Sequence, residues 1–292
     1  MLRLLRSDLY RLIRGKMMWM LALIFVAHIC FMTWVEWFAI QTFDVTEFGL
    51  GAESAPLVDA LTGQLTQSLS LSMEYGTIAI SGGFLALFAS LFAALVAVSD
   101  FSTGYIQGLF SARQGRASYF AEKFLLFALY TLFLEAISML ATYVALRVAG
   151  FGFASIDWPV FLGWCAVAWA LACGYAFITA CITWLTKSKA LGCVTAVVLA
   201  TSTIGGILTG IMLLLPSSDA AELMEAIIDW LPFMSQNTLS SGETSIANGK
   251  TWTSMFTSTS DMLALTHILI TTGVMWVISI VTSFIVGTRR DI

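Results

Sequence analysis

Hydrophobic and polar positions separate along this chain into long blocks rather than short repeats. Six apolar runs stand between polar segments, at about residues 17–40, 76–98, 123–146, 160–185, 190–215 and 263–287. Each run reaches the roughly 20 residues that a helix needs to cross the hydrocarbon core of a bilayer. The pattern therefore predicts an all-α integral membrane protein with six transmembrane helices.

Residues 1–16 follow a different pattern, in which apolar and basic residues interleave at helical spacing. The apolar face holds Leu2, Leu5, Leu9 and Ile13, and the basic residues are Arg3, Arg6, Arg11, Arg14 and Lys16. A helix of this kind lies in the membrane interface, with its arginines toward anionic lipid. We expect lipid rather than nucleic acid to be the partner of these arginines, because a hydrophobic run follows at once. The chain thus divides into an interfacial helix and a membrane domain over residues 17–292.

The basic residues predict the orientation of the six spans. If the N-terminus is cytoplasmic, 12 of the 14 Lys and Arg residues fall on the cytoplasmic side, and only Arg147 and Lys250 fall outside. Cytoplasmic segments of membrane proteins are enriched in Lys and Arg. We therefore predict that both termini are cytoplasmic.

Two of the predicted outer segments are long, residues 41–75 and 216–262. In the first, leucines recur every four residues from Leu57 to Leu69, which predicts a surface helix. In the second, Asp219 and Glu222 form a capping-box pattern before an amphipathic stretch. These segments have two interpretations, as lids packed on the bundle or as a gate over a pathway.

The composition excludes a soluble globular domain, since 59% of residues are hydrophobic, 11% are charged and the mean hydropathy is +0.88. All five cysteines lie inside apolar runs, which favours packing over disulfides. The sequence has no Gly-x-x-x-x-Gly-Lys-Ser/Thr phosphate loop and no His or Cys pair at metal-ligand spacing. We predict that the chain is not an enzyme and holds no cofactor, so that any ATP and Mg²⁺ would be bound by a partner subunit.

One polar segment, residues 99–122, interrupts the apolar runs between the second and third predicted spans. Its pattern predicts a short helix over about residues 102–111, then a turn at Gly115, with Ser118 as the N-cap of the third span. On that helix, Tyr105, Ile106, Leu109 and Phe110 share one face. The face fits either a docking partner or the lipid surface.

The segment also has the loose form Asp-x-x-x-Gly-x-Ile, then an Arg, then an aromatic-x-x-Lys that enters the third span. The matching residues are Asp100, Gly104, Ile106, Arg116, Tyr119 or Phe120, and Lys123. Together with the Arg-rich start and six spans, this order of features along the whole chain resembles the short permeases of the ABC-2 type.

The resemblance implies a membrane subunit of an ATP-driven exporter, which pairs with a second permease and with separate ATPase subunits. It implies that the loop after the second span is a coupling helix in a groove of the ATPase. The implied coupling residues are Asp100, Gly104, Tyr105, Ile106, Leu109, Arg113 and Arg116. Similar permeases export antimicrobial peptides, drugs or lipids across the bacterial cytoplasmic membrane. The outer segments of this chain are longer than those of the smallest relatives.

Four ionisable residues fall inside the predicted spans: His28, Glu36, Glu135 and His267. Such groups are costly in hydrocarbon and mark candidate functional sites. His28 and Glu135 both fall at the middle of their spans, while Glu36 and His267 both fall roughly 11–12 Å further out. We therefore predict that His28 and Glu135 contact each other, either as a structural bond or as part of a cargo path.

These residues also permit a rival function, a proton-coupled secondary transporter that uses Glu135 and His28 as a relay. The sequence shows no inverted repeat and predicts no broken span, which argues against that class. A non-transporting sensor or assembly protein is a further alternative.

The fifth predicted span contains Gly206-x-x-x-Gly210, a spacing that lets two helices approach closely. It fits a packing face inside one subunit and a seam between two copies equally well.

Overall fold

The computed structural model describes residues 2–42, 68–102, 116–214, 219–246, 251–253 and 259–289. In these ranges the fold is all-α apart from one two-stranded antiparallel hairpin. The helices are α1 (Leu2–Arg14), α2 (Lys16–Thr42), α3 (Leu71–Tyr75), a π-helical turn (Gly76–Ser81), α4 (Phe84–Ser102), α5 (Arg116–Val148), α6 (Trp158–Thr186), α7 (Lys189–Ala200), α8 (Thr203–Leu214), α9 (Asp219–Asp229), α10 (Pro232–Leu239), a 3₁₀ turn (Glu243–Ile246) and α11 (Ala264–Arg289). The hairpin strands are β1 (Thr251–Thr253) and β2 (Thr259–Leu263).

Four of these helices, α2, α5, α6 and α11, are each long and apolar enough to cross a membrane. Two further candidates are bent pairs, one formed by α3 with the π-helical turn and α4, the other by α7 and α8. The bends are 48° and 53°. The predicted all-α membrane protein is thus confirmed at the level of four to six spans. The expectation of unbroken helices is wrong for the second and fifth runs.

Both breaks coincide with residues in the left-handed backbone region. Gly83 has φ of +73° and Ser202 has φ of +58°. A helix cannot continue through this conformation, which glycine adopts readily and serine does not. The 53° bend therefore lies at Thr201 and Ser202, between α7 and α8, although no Gly or Pro marks the position.

The centre of the bundle is the contact between α4 and α6, and small side chains make it tight. Buried alanines line both helices: Ala89, Ala93 and Ala97 on α4, and Ala172, Ala176 and Ala180 on α6. Helix α7 also packs closely here, since a Cβ on Gly192 would lie 3.2 Å from the Cβ of Ala94. Helices in lipid associate through such small-residue contacts, because lipid offers no hydrophobic drive between them.

Large apolar side chains cover the outside of the bundle. The most exposed include Leu23, Phe31, Leu140, Val277 and Ile278. A soluble monomer rarely has such a continuous apolar surface. The surface suits hydrocarbon contact, as the sequence predicts.

The helices alternate in direction, so one end of the bundle gathers several helix termini. We call it the α1 end. Tyr119 near the start of α5 lies 6.5 Å from Trp184 near the end of α6, and Phe120 lies 6.1 Å from Phe284 near the end of α11, measured between ring centroids. In the described ranges, every Lys and Arg except Arg147 belongs to a segment at the α1 end. The one-sided charge that the sequence predicts is therefore present.

The helices on both sides extend further into the polar segment 99–122 than predicted. Residues up to Ser102 continue α4, and α5 begins at Arg116, so Ser118 lies inside the helix rather than capping it. The first turns of α5 are helical because Tyr119 and Phe120 bury their rings in the aromatic cluster around Trp184. The predicted helix over residues 102–111 lies almost wholly outside the described residues, as does the leucine pattern in residues 41–75.

The second long outer segment contains more structure than its sequence pattern indicates. Helix α9 confirms the amphipathic stretch after Asp219. Helix α10 was not predicted, and it begins with Pro232 in its first turn, a favoured position for proline. Its Phe233, Met234 and Leu239 are buried. The segment therefore packs into the bundle at the end opposite α1.

Candidate functional site

A buried ion cluster lies at the α1 end, around the amino group of Lys123. The Nζ of Lys123 on α5 lies 2.6 Å from the Oδ2 of Asp100 on α4 and forms a second ion pair with Asp8 on α1. The side chains of Lys123 and Asp100 are 0% exposed and that of Asp8 is 2% exposed. Three helices thus meet at one ammonium group.

Two further side chains complete the shell of Asp100. The Nη2 of Arg11 donates to its Oδ1 at 2.8 Å, and the hydroxyl of Tyr119 donates to its Oδ2 at 2.9 Å. Arg11 is half exposed and also lies 3.6 Å from Asp8. Glu122 is buried beside Lys123 in the chain, so the cluster holds three carboxylates and two cations. We call these six residues the stem cluster.

The stem cluster lies where the polar segment between α4 and α5 begins and ends. Asp100 lies at the start of the polar segment 99–122 and Lys123 directly follows its end. The two ends of that segment are therefore held together at one point, and α1 is held there with them. Separating partners in a buried ion pair costs about 3–5 kcal/mol, because a charge is left unpaired. The stem cluster makes α1, α4 and the start of α5 one mechanical unit.

Of the predicted coupling residues, the structure places two at this end of the bundle. Asp100 is in the stem cluster and Arg116 is the first residue of α5. The others, Gly104, Tyr105, Ile106, Leu109 and Arg113, lie outside the described residues.

The sequence prediction missed Asp8. Its signal is nonetheless present, since Asp8 is the one carboxylate in α1 and shares a helical face with Leu5, Leu9 and Leu12. A charge on an apolar face is costly unless it finds a partner. Lys123 entered the prediction only as part of the family pattern, whereas its burial makes it central.

The predicted contact between His28 and Glu135 is wrong as a hydrogen bond. The imidazole of His28 packs on the ring of Phe84, with centroids 3.8 Å apart, and its Nε2 has no hydrogen-bond partner among the described residues. Glu135 is buried on the side of α5 that faces Tyr75 and Cys165, and its Oε1 has no hydrogen-bond partner in the part of the chain that the structure describes. Equal depth in neighbouring spans does not imply contact, because each helix also has a rotation about its axis.

The outer residues Glu36 and His267 do not pair with each other either. Glu36 on α2 interacts with Glu74 on α3. His267 on α11 is stacked between two indoles, with ring centroids 3.7 Å from Trp252 and 4.3 Å from Trp230. The four ionisable residues therefore occupy four separate environments rather than two pairs.

A second junction joins the two helix breaks. A Cβ on Gly83 would collide with the carbonyl oxygen of Ala200, so the break in the first bent pair touches the break in the second. Gln236 of α10 lies against both, and its Nε2 donates to the Ala200 oxygen at 3.4 Å. The Oε1 of Gln236 is buried without a partner in the described residues. We call Gly83, Ala200 and Gln236 the break junction.

Helix α10 packs against both bent pairs along its whole length. Phe233 fills the space beside Gly205 just after the second break, and the backbone of Ser240 lies against Gly76 in the π-helical turn. Trp164 of α6 donates to the Leu239 carbonyl at 3.1 Å. The helix thus connects the two breaks to the centre of the bundle.

An apolar groove runs between α2 and α5 on the half of the bundle away from α1. Its volume is about 650 Å³ and it is open on one side. Trp34, Trp37, Leu140 and Val144 are among its walls, and Thr33 and Cys30 add weakly polar groups. Ligand sites of this size are common in proteins, and this one suits an apolar or amphiphilic molecule.

Gly206 and Gly210 on α8 face open space. A Cβ at either position would meet no atom within 4 Å. Within the described residues they therefore make no close packing contact inside the subunit. An exposed face of small residues remains, beside Ile207 and Ile211.

Comparison with models of known protein families finds no match to this chain, and comparison with curated proteins finds none either. Function must therefore be inferred from the geometry of the chain itself and from the resemblance of its pattern.

Proposed function

We propose that the chain is the membrane subunit of an ATP-driven exporter. In this proposal the polar segment 99–122 docks on a separate ATPase in the cytoplasm, and both termini of the chain are cytoplasmic, in a bacterial cell membrane. The observation that supports it most is the stem cluster, which holds the two ends of that segment and α1 together. A loop that receives force from a partner needs a stem of this kind.

The buried geometry of the cluster suits the transmission of force. Lys123 and Asp100 are fully buried, so their ion pair is little screened by solvent. Displacement of the segment would move α4, α5 and α1 together rather than fray one helix end. In the proposed cycle, ATP-dependent closure of the partner pushes on the segment and the three helices move as one.

Helix α4 connects the cluster to the break junction. From Asp100 to Gly83 it is continuous, a distance of ~25 Å along the helix axis. The break junction then contacts the second bent pair and α10. We propose that movement of α4 tilts both bent spans about this junction, which would change access to the groove between α2 and α5.

The apolar groove favours an amphiphilic cargo, such as an antimicrobial peptide, a drug or a lipid, which enters from the membrane and leaves outward. A second permease copy completes the transporter in this proposal. The open Gly206 and Gly210 face of α8 is the surface that suits it, because small residues let helices approach closely.

One observation favours a second candidate, a proton-coupled secondary transporter. Two spans are broken, which is a feature of that class, and Glu135 is a buried carboxyl group within the bundle. The two broken spans therefore remove one of the two features that distinguish the chain from this class. The absence of an inverted repeat still separates the chain from it.

Affinity purification of the full-length chain from its own host at natural expression tests the proposal. We expect a stoichiometric partner with a phosphate-binding loop, released by Tyr105→Asp but not by Ser241→Asp at the opposite end. The purified chain is also reconstituted alone, without an ATPase, to test the second candidate. Export of a fluorescent amphiphile driven by a proton gradient, without ATPase, would favour the secondary transporter.

A further inference from the structure

A second apolar groove lies between α1, α2 and α5, at the same end of the bundle as the stem cluster. Its volume is about 400 Å³. Leu9 and Ile13 of α1, Trp19 of α2, and Leu129 and Phe133 of α5 are among its walls. The groove offers almost no polar surface, so its occupant must be hydrocarbon.

The chain directly after Ile13, which lines the groove, is basic. Helices α1 and α2 meet at an elbow around Gly15, and the two residues that flank it, Arg14 and Lys16, are both exposed. Ile13 and Trp19 hold the elbow in place, since the indole Nε1 of Trp19 donates to the Ile13 carbonyl at 2.8 Å. Arg14 rests on the ring of Tyr10, with its guanidinium carbon 5.0 Å from the centroid.

These two basic residues differ from their neighbour Arg11. Arg11 is bound to Asp100 and Asp8 in the stem cluster. No carboxylate pairs with Arg14 or Lys16 among the described residues. They are therefore able to bind an anion from outside the chain.

We infer that the elbow and the groove together form a binding site for one anionic phospholipid. An acyl chain lies in the groove, and the phosphate group contacts Arg14 and Lys16. The combination selects the occupant, because hydrocarbon walls exclude a free anion and two positive charges disfavour a lipid without net negative charge. Each basic residue near an anionic lipid surface contributes about fivefold in affinity.

The site also bears on the stem cluster. Helix α1 contributes Leu9 and Ile13 to the groove and Asp8 to the cluster. A lipid bound at the elbow therefore fixes the helix that supplies a partner of Lys123. This inference does not depend on the identity of the docking partner, because it concerns only α1, α2 and α5.

Fluorescence quenching by lipids with brominated acyl chains tests the site directly, because Trp19 lies in its wall. The full-length protein in detergent is titrated with brominated phosphatidylglycerol and, separately, with brominated phosphatidylcholine. We expect quenching at lower phosphatidylglycerol concentration, and we expect the Trp19→Phe variant to lose that component.

Charge variants complete the experiment. Arg14→Gln with Lys16→Gln should weaken phosphatidylglycerol binding by at least tenfold. The charge-preserving pair Arg14→Lys with Lys16→Arg should retain it, and Lys187→Gln with Lys189→Gln is the control at the same end. Equal quenching by both lipids, or a low-concentration phosphatidylglycerol component that survives either Trp19→Phe or the double Gln substitution, would overturn the assignment.

Discussion

Lys123 shows how much one side chain can determine in this molecule. It is the only cation fully enclosed by the described residues, and its two carboxylate partners come from different helices. Removing its charge leaves Asp8 and Asp100 close together, with the half-exposed Arg11 as the remaining cation of the stem cluster. The free energy of folding should be correspondingly sensitive to this position.

We expect Lys123→Met to lower the free energy of unfolding by about 3–5 kcal/mol, as for other broken buried pairs. Lys189→Met, which removes an exposed cation at the same end, should change it by no more than about 0.5 kcal/mol. Unfolding of the purified protein in mixed micelles measures both. Adding Asp100→Asn to Lys123→Met should restore part of the loss, and a double variant as unstable as the two single changes summed would contradict the pairing.

Gly83 provides the matching test at the break junction. Its backbone is left-handed and a Cβ there would meet the Ala200 carbonyl, so Gly83→Ala combines strain with a clash. We expect a loss of more than about 2 kcal/mol in unfolding free energy. Gly163→Ala on α6 is the control, because its Cβ would also meet nothing within 4 Å. If both variants unfold alike, the two breaks do not touch.

Among the helices, α10 is the one that the sequence pattern predicts least well. Its residues lie in a stretch rich in Ser, Thr and Gly, and only the Pro232 position marks a helix start. Its burial depends on partners distant in the chain, namely Gly76, Gly83, Gly205 and Trp164. Hydrophobic periodicity cannot reveal contacts of this kind, which is why the break junction was not predicted.

Hydrophobic periodicity also could not reveal the two helix breaks. Gly82 and Gly83 are a recognisable break signal inside an apolar run, but Thr201 and Ser202 are not. Run length predicted where the spans lie, and it carried no information on whether each one is straight. His28 and Glu135 failed as a pair for a related reason, since depth was predictable and helix rotation was not.

Phe233→Ala should loosen the packing of α10 without unfolding the protein. The ring fills the space beside Gly205, and its loss leaves a cavity between α10 and α8. We expect faster amide hydrogen exchange over residues 203–214 and 232–239, with α6 unchanged. Ile207→Ala, which trims an exposed side chain on α8, is the control. If exchange rises equally in α6, then α10 does not open independently of the rest of the bundle.

For the whole molecule, the distribution of charge predicts its orientation. In the described ranges, Lys and Arg residues gather at the α1 end, and Arg147 is the exception at the other end. Single cysteines in a cysteine-free background should therefore differ in access. We expect Ser188→Cys to resist an impermeant thiol reagent in intact cells and Ser241→Cys to react. Labelling of Ser188→Cys from outside would reverse the proposed topology.

The central claim is that a separate ATPase docks on the segment between Asp100 and Lys123. The most direct measurement is thiol cross-linking in native membranes, with Tyr105→Cys as the probe and Ser241→Cys as its control in the same cysteine-free chain. We predict that Tyr105→Cys forms a covalent adduct with a nucleotide-binding subunit, that ATP changes the yield, and that Ser241→Cys forms none. Nucleotide-independent adducts with lipid-embedded neighbours alone, and none with an ATPase, would contradict the claim.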